Sequence, residues 1–315
     1  MQERTFFMLQ TLTIIAPLFL IVFMSAFLRY RFGVGATWEK ALNEFALKIG
    51  LPVLIFSTLA KIRFSFREES LLLIGNSLFL VGLFGLAILM KKVFRIERKM
   101  FLSLFICFVF SNIAYLGIPV ITQLFGAEAM VSTSLVVAVY LFWVFTVGVG
   151  YLEYASGKGG RHMVRDILKN LVRNPLILAV LGGLAAGSLR IPFPGIVLQA
   201  MDMINASVTP LVLVVLGLFM GASKGGKLSD WIPALWFSLF TLIVSPLLLY
   251  GSVIVLGASI DYFSISILEA AMPLALTPFA FADMYDLHKA FIARSIVAST
   301  LLSVLTLPVW IAFLF

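Results

Sequence analysis

Apolar runs long enough to cross a lipid bilayer recur along the whole chain. A transmembrane helix needs about 20 mostly apolar residues, and we count ten such runs in the 315 residues. They cover approximately 8–28, 43–61, 70–90, 101–125, 129–152, 173–190, 196–222, 231–257, 264–284 and 289–313. The sequence therefore predicts an all-α integral membrane protein with ten transmembrane helices.

The composition excludes a soluble globular protein. Hydrophobic residues make up 62% of the chain and charged residues 12%, against about 25% charged in soluble domains. The net charge of +8 fits basic residues at membrane surfaces, so we expect the lipid bilayer and not nucleic acid as a partner. The single cysteine, Cys107, rules out a disulfide framework. No nucleotide motif is present, and we expect no cofactor.

The lysine and arginine residues between the runs predict the orientation of the chain. One side carries sixteen of them: Arg29, Arg31, Lys40, Lys91, Lys92, Arg95, Arg98, Lys99, Lys158, Arg161, Arg165, Lys169, Arg173, Lys224, Lys227 and Lys289. The opposite side carries five: Arg4, Lys61, Arg63, Arg67 and Arg190. Because cytoplasmic loops are enriched in Lys and Arg, we expect the first side to be cytoplasmic. Both termini then lie outside the cytoplasm, in a multi-pass plasma-membrane protein.

The predicted spans divide into two halves of five, residues 1–152 and 173–315. Halves with an odd number of spans enter the membrane from opposite sides, as in inverted-repeat transporters. The linker at 153–172 contains Val164, Ile167, Leu168 and Leu171, whose helical spacing predicts a short helix on the inner membrane surface.

The prolines give modest support for a repeat. Pro17 and Pro52 lie at the same spacing as Pro175 and Pro210, with an offset of 158 residues between the pairs. Twelve prolines also permit coincidence, so kinked helices without symmetry remain the alternative.

The fourth span contains poor helix formers in its middle, in the stretch SNIAYLGIPV at 111–120. A proline removes one helical hydrogen bond and clashes with the preceding turn, and Gly117 adds freedom just before Pro119. We expect the helix to break there and Pro119 to start a second half-helix. The N–H groups of Val120 and Ile121 would then face an anion at the break, beside the amide of Asn112.

The ninth span repeats this pattern, so we expect a second break with Pro273 and Leu274 beside the substrate. Glu269 is a candidate for carrying a coupling proton, binding a cation or holding the break together, since an unpaired carboxylate is costly inside a membrane. The alternative is a carboxylate near the outer interface, because Glu269 lies early in this span.

Several polar residues are weaker candidates for accessory roles: Asn76, Thr277, Asp283 and Arg294. Arg294 either snorkels to the interface or faces inward, where it would attract anions or pair with Asp283. Ser295, Ser299, Thr300 and Ser303 either line a path or, as we favour, pack helix against helix.

Taken together, these motifs resemble the auxin efflux carrier family. The resemblance rests on 112–119 with Phe125-Gly126 in the fourth span, and on matching segments over nearly the whole chain. These begin at Leu51-Pro52, Asn174-Pro175, Thr209-Pro210, Glu269 to Pro273, Ser299-Thr300 and Thr306-Leu307-Pro308.

The resemblance implies two inverted repeats of five spans whose broken fourth and ninth helices cross near mid-membrane. It implies that spans 3–5 and 8–10 move like an elevator against a scaffold of spans 1, 2, 6 and 7, which can form a homodimer. Asn112, Pro119 and Pro273 match substrate-proximal positions, but Ala271 and Met272 precede Pro273 where an asparagine is expected. This departure favours a permease of the type found in bacterial inner membranes.

The sequence thus predicts a secondary transporter of a small organic anion such as a carboxylate. A sodium-coupled symporter of the bile-acid type and a non-transporting sensor or channel on the same scaffold are the alternatives. A membrane enzyme is disfavoured because the two histidines, His162 and His288, fall in predicted loops and no paired carboxylates suit a metal site.

Overall fold

The computed structural model describes residues 2–61, 66–157, 165, 168–169, 172–223 and 227–315. The regular secondary structure in this part of the chain is helical, apart from one antiparallel bridge between single residues. The first helices are α1 (Gln2–Phe32), α2 (Ala36–Phe45), α3 (Leu51–Ala60), α4 (Phe66–Phe94), α5 (Arg98–Val109), α6 (Ile118–Phe125), α7 (Met130–Trp143) and α8 (Val149–Ala155). The later ones are α9 (Pro175–Ser188), α10 (Gly195–Ala222), α11 (Leu228–Val255), α12 (Ile260–Ala270), α13 (Thr277–Met284) and α14 (Lys289–Leu314).

Seven helical segments are long and apolar enough to cross a membrane. They are Leu12–Phe32, Thr37–Ala60, Glu69–Phe94, Ala127–Ala155, Gly195–Ala222, Leu228–Val255 and Lys289–Leu314. Two shorter apolar helical segments accompany them, Ile113–Phe125 and Pro175–Ser188. The prediction of an all-helical membrane protein is confirmed, whereas the count of ten spans and their inverted repetition stay predictions.

Two of the prolines are accommodated by widened helical turns. A π-turn over Ala46–Gly50 joins α2 to α3 just before Pro52, and another over Ile113–Gly117 leads into α6 just before Pro119. A proline has no N–H to donate and its ring clashes with the carbonyl four residues earlier. A turn with i→i+5 hydrogen bonds shifts that carbonyl, so the helix continues through the proline. A third π-turn, Val144–Gly148, joins α7 to α8.

Glycines allow two helix pairs to pack with their backbones close together. A Cβ atom on Gly217 or Gly221 of α10 would collide with the carbonyl oxygens of Val22 and Ala26 on α1. On the other pair, a Cβ on Gly183 of α9 would lie 2.9 Å from the Phe56 carbonyl oxygen of α3. Small residues at such contacts are typical of helix packing in membranes, and here they hold α1 against α10 and α3 against α9.

Basic residues gather at the end of the molecule where α8 ends and α14 begins, which we call the basic end. Arg98 donates to the Ala155 carbonyl oxygen (2.7 Å), and Lys99 pairs with Asp286 (2.7 Å). Lys61, by contrast, pairs with Asp202 between α3 and α10 (3.5 Å). The predicted surface helix at 164–171, within the linker 153–172, lies largely outside the described residues.

Candidate functional site

Two interrupted helices meet at one point in the core. Helix α5 ends at Val109 and α12 ends at Ala270, and the extended residues that follow run antiparallel to each other. The Asn112 N–H donates to the Pro273 carbonyl oxygen (2.7 Å), and the Ala275 N–H donates to the Phe110 carbonyl oxygen (2.9 Å). Backbone groups freed inside a membrane must find partners within the protein, and each break supplies partners for the other.

Three hydroxyl groups satisfy the remaining backbone groups near the crossing. The Tyr140 hydroxyl accepts from the Ser111 N–H (2.6 Å) and donates to the Val109 carbonyl oxygen (2.5 Å). Ser299 Oγ accepts from the Leu274 N–H (3.1 Å). Ser111 Oγ lies within hydrogen-bond distance of the carbonyl oxygens of Glu269 (3.2 Å) and Met272 (3.1 Å).

Asn112 starts the helix that follows the first break. Its Oδ1 accepts from the Tyr115 N–H (3.2 Å), which caps the π-turn. The residue is 3% exposed, and its Nδ2 has no hydrogen-bond partner in the described part of the chain. An unpaired buried donor costs about 1–3 kcal/mol, so this amide is available to a ligand that can accept from it.

The break lies upstream of the position that the sequence predicted. The chain is extended over 110–112 and is helical from Ile113 through Gly117 into α6, where Ile118 N–H bonds the Ile113 carbonyl oxygen. The prediction that Pro119 starts a half-helix, with the Val120 and Ile121 N–H groups facing the break, is therefore wrong. The π-turn absorbs the proline, and Pro119 and Val120 are buried within a continuous helix.

A cavity of about 270 Å³ lies against the crossing. Its polar lining residues are Asn43, Ser111, Asn112, Tyr115, Tyr140, Asn174 and Thr277, and its apolar lining includes Phe110, Leu141, Phe145 and Leu276. Tyr115 donates its hydroxyl proton to Asn43 Oδ1 (2.5 Å), which joins the π-turn to α2. Asn174 caps α9 through the Leu176 N–H (2.9 Å). The cavity thus presents amides and hydroxyls but no charged side chain among its lining residues.

Glu269 lies behind the crossing and does not line this cavity. It is 1% exposed, and neither carboxylate oxygen has a hydrogen-bond partner among the residues that the structure describes. A Cβ atom on Gly117 would lie 3.5 Å from each of these oxygens and 3.5 Å from Met272 Cγ. The carboxyl group of Glu269 is thus buried in the core, beside Gly117 and Met272.

The other predicted site residues are dispersed. Pro273 and Leu274 hold the crossing together through their backbone, and Thr277 lines the cavity. Asn76 is not among the residues that line the cavity, and its Nδ2 donates to Ser266 Oγ on α12 (2.9 Å). Arg294 lies at the basic end.

The two charged candidates of the second half pair with other partners and not with each other. Arg294 pairs with Asp230 of α11 (3.2 Å), whereas Asp283 pairs with Lys289. Near them, the Tyr285 hydroxyl donates to the Glu153 carboxylate (3.2 Å). Burial and the charge of this carboxylate raise the pKa of Tyr285.

Sequence reasoning missed three residues of the site. Asn43 and Asn174 border apolar runs, where an amide also serves as an ordinary helix-end residue. Tyr140 carried a clearer signal, because a phenol in the middle of the run VVAVYLFW needs a buried hydrogen-bond partner.

Comparisons with known proteins agree with this architecture. The model of a family described as membrane transport protein matches residues 11–311. An uncharacterized transporter of Methanothermobacter thermautotrophicus is 26% identical over 96% of this chain and 98% of its own length. One from Methanocaldococcus jannaschii is 26% identical over 86% of this chain and 88% of its own. Auxin efflux carrier component 4 of Arabidopsis thaliana is 25% identical over 48% of this chain and 28% of its own length.

The matched residues include both interrupted helices and all the residues that line the cavity. The resemblance inferred from the motifs is thereby confirmed, and the family consists of transporters and not of enzymes. The chain therefore belongs to the membrane transport protein family, which includes the auxin efflux carriers, and is a membrane transporter.

Proposed function

We propose that the protein is a secondary transporter of a small organic anion and that the cavity at the crossing binds this substrate. The observation that carries the proposal is the buried Asn112 side chain: this residue lines the cavity, and its Nδ2 has no hydrogen-bond partner in the described structure. Pockets for drug-sized ligands measure about 300–1,000 Å³, so a cavity of about 270 Å³ suits a smaller organic acid.

The chemistry of the lining favours an anion with an apolar body. Ile113 and Ala114 begin the π-turn beside Asn112 and line the cavity. The first N–H groups of a helix lack intrahelical partners and carry partial positive charge. No Asp or Glu is among the lining residues to repel a carboxylate. The phenyl rings of Phe110 and Phe145 would contact the carbon skeleton.

Ten spans in two inverted repeats account for the pairing of the helices. Ser111 contacts the backbone of Glu269, and these residues are 158 positions apart, which is also the offset of the proline pairs. Helix α1 packs on α10 while α3 packs on α9. The first span of each half thus packs on the second span of the other half. A two-fold relation between residues 1–152 and 173–315 would produce this arrangement.

An elevator-like mechanism would move α4–α8 and α11–α14 against a scaffold of α1–α3, α9 and α10. The cavity lies between the two groups, since Asn43 and Asn174 belong to the scaffold and Asn112 and Thr277 to the moving part. The basic end would lie on the cytoplasmic side of a bacterial inner membrane. The cavity would then face the cytoplasm, and both termini would lie on the opposite side. The scaffold would also provide the surface for a homodimer.

Glu269 is our candidate for proton coupling. Its carboxyl group is close to Gly117 in the π-turn that follows the first break, so a change in its charge would act next to the crossing. In the E269Q variant we expect substrate exchange without a pH gradient to persist and acceleration by a pH gradient to disappear. Persistent acceleration would remove Glu269 from this role.

Counterflow in proteoliposomes tests the transport proposal. Purified protein is reconstituted, loaded with unlabelled malate, indole-3-acetate or taurocholate, and given the labelled compound outside. We expect saturable counterflow of at least one organic anion, and no counterflow with any of them would contradict the proposal. Replacement of sodium by N-methylglucamine separates a proton-coupled or uncoupled carrier from a sodium symporter, which would lose its gradient-driven uptake.

A further inference from the structure

Three neighbouring cavities lie in series between the crossing and the basic end. The cavity at the crossing shares lining residues with a second one of about 260 Å³: Asn43, Leu276 and Ala280. The second shares lining residues with a third one of about 650 Å³: Glu39, Phe219 and Phe279. We call the third cavity the antechamber. Its walls are the ends of α2, α10, α13 and α14.

Charge changes along this path. The lining of the crossing cavity has no charged side chain, whereas the antechamber is lined by Lys289, Arg294 and Glu39. Lys40 and Glu39 line the short cavity between them. An anion that moves from the antechamber toward the crossing thus passes Lys289 and Arg294, then Glu39 where the two cavities share their lining, and Lys40 in the second cavity.

The two cations are held in place by an aromatic ring and by two aspartates. Lys289 Nζ lies 5.0 Å from the centre of the Phe279 ring, and Lys289 also pairs with Asp283. Arg294 pairs with Asp230, and their side chains are 21% and 42% exposed. Lys289 and Arg294 are among the residues that line the antechamber, whereas Asp283 and Asp230 are not.

We propose that the antechamber is a separate binding site for an amphipathic organic anion. Lys289 and Arg294 bind the anionic group, and Phe219, Phe279 and the neighbouring alanines contact its apolar part. Glu39, which lines both the antechamber and the second cavity, disfavours anions of higher charge. The inference rests on the proposed function in one respect: the anion bound here is the one that then passes to the crossing.

Charged thiol reagents measure the potential of the antechamber without any transport. Ser223 lines it, and the S223C variant provides a reporter, because the native Cys107 is completely buried. We expect anionic sulfonatoethyl methanethiosulfonate to react fast relative to the cationic trimethylammonioethyl reagent. Loss of one charge in K289Q or R294Q should lower that rate ratio about fivefold at low salt, and E39Q should raise it.

Lys91 provides the matched control, because its Nζ also lies over a phenyl ring, that of Phe101 (4.8 Å), but does not line the antechamber. K91Q should leave the ratio within about twofold of the starting protein. Equal effects of K91Q and K289Q, or no effect of either K289Q or R294Q in folded protein, would overturn the proposal.

Protection of S223C then separates a soluble anion from a lipid headgroup. In nanodiscs of zwitterionic lipid, octanoate should slow modification several-fold, whereas 1-octanol should not, and K289Q should abolish the protection. Protection only after phosphatidylglycerol is added would assign the antechamber to lipid and overturn the substrate site. Because neither measurement involves flux, a failure here is distinguishable from a failure of the counterflow assay.

Discussion

The two helix interruptions meet at one point, yet they are stabilised in different ways. The first is short, and its helix resumes at once through a π-turn that Asn112 caps. The second leaves a longer extended stretch whose N–H groups depend on other elements, namely Phe110 and Ser299. The first break therefore contributes a side-chain amide to the cavity, and the second contributes mainly backbone.

Under the proposed function, the first break serves recognition of the substrate and the second supports the crossing. In the described part of the chain, Asn112 has a donor without a partner, whereas the Pro273 carbonyl and the N–H groups of Leu274 and Ala275 are already paired within the protein. A ligand at the first break gains a hydrogen bond without breaking one. At the second break it would have to compete with existing bonds.

The largest effect is expected from N112L, which removes both the cap and the unpaired donor. We expect counterflow to fall about a hundredfold, because the amide is the recognition group of the proposed site. The matched control is N205A, since Asn205 makes one hydrogen bond of 2.9 Å to Ser57 away from the cavity. Equal flux in N112L and N205A would show that the first break does not recognise the substrate.

The second-largest effect, a loss of stability, is expected when the first break loses the hydroxyl group that supports it. Y140F removes the hydroxyl that serves two backbone groups, Ser111 N–H and Val109 carbonyl. We expect the free energy of unfolding in mixed micelles to fall by about 2 kcal/mol. Y154F, at a side chain that is 71% exposed, should change it little. A loss as small as that of Y154F would mean that the break needs no such support.

A smaller loss is expected at the second break from S299A. The variant deprives the buried Leu274 N–H of its acceptor, which we expect to cost about 1 kcal/mol. S303A is the control, because Ser303 Oγ donates to the Thr300 carbonyl within its own helix and its loss should cost less than about 0.5 kcal/mol. Measured by the same unfolding assay, a reversed order would contradict the supporting role of Ser299.

The smallest effect on stability is expected from E269Q. Neither carboxylate oxygen has a hydrogen-bond partner among the described residues, so the substitution breaks no bond, and the melting temperature should change by less than about 2 °C. A large drop in the melting temperature would show that the carboxyl group holds the second break together. The role in coupling would then require separate evidence.

The sequence predicted the regions of both interruptions but not their internal structure. Proline and glycine in the fourth span marked the right region, yet the chain opens at Phe110–Asn112 and not at Pro119. Local propensity says that a helix is weakened near a proline. Local propensity does not determine whether the helix breaks or widens, because that depends on hydrogen-bond partners from other parts of the chain, here Pro273 and Tyr140.

Hydrophobicity and the helical period by themselves determined that this chain is an all-helical membrane protein, since apolar runs of this length have no other stable arrangement in water or lipid. Motifs along the chain also determined its family, which the comparisons confirm. Only the tertiary structure decided which polar groups meet. Asn43, Asn112, Tyr140 and Asn174 come from four separate helical segments, and their convergence depends on helix packing that no local pattern encodes. The same packing buries the Glu269 carboxyl group beside Gly117, because helices from the two halves of the chain meet at the crossing.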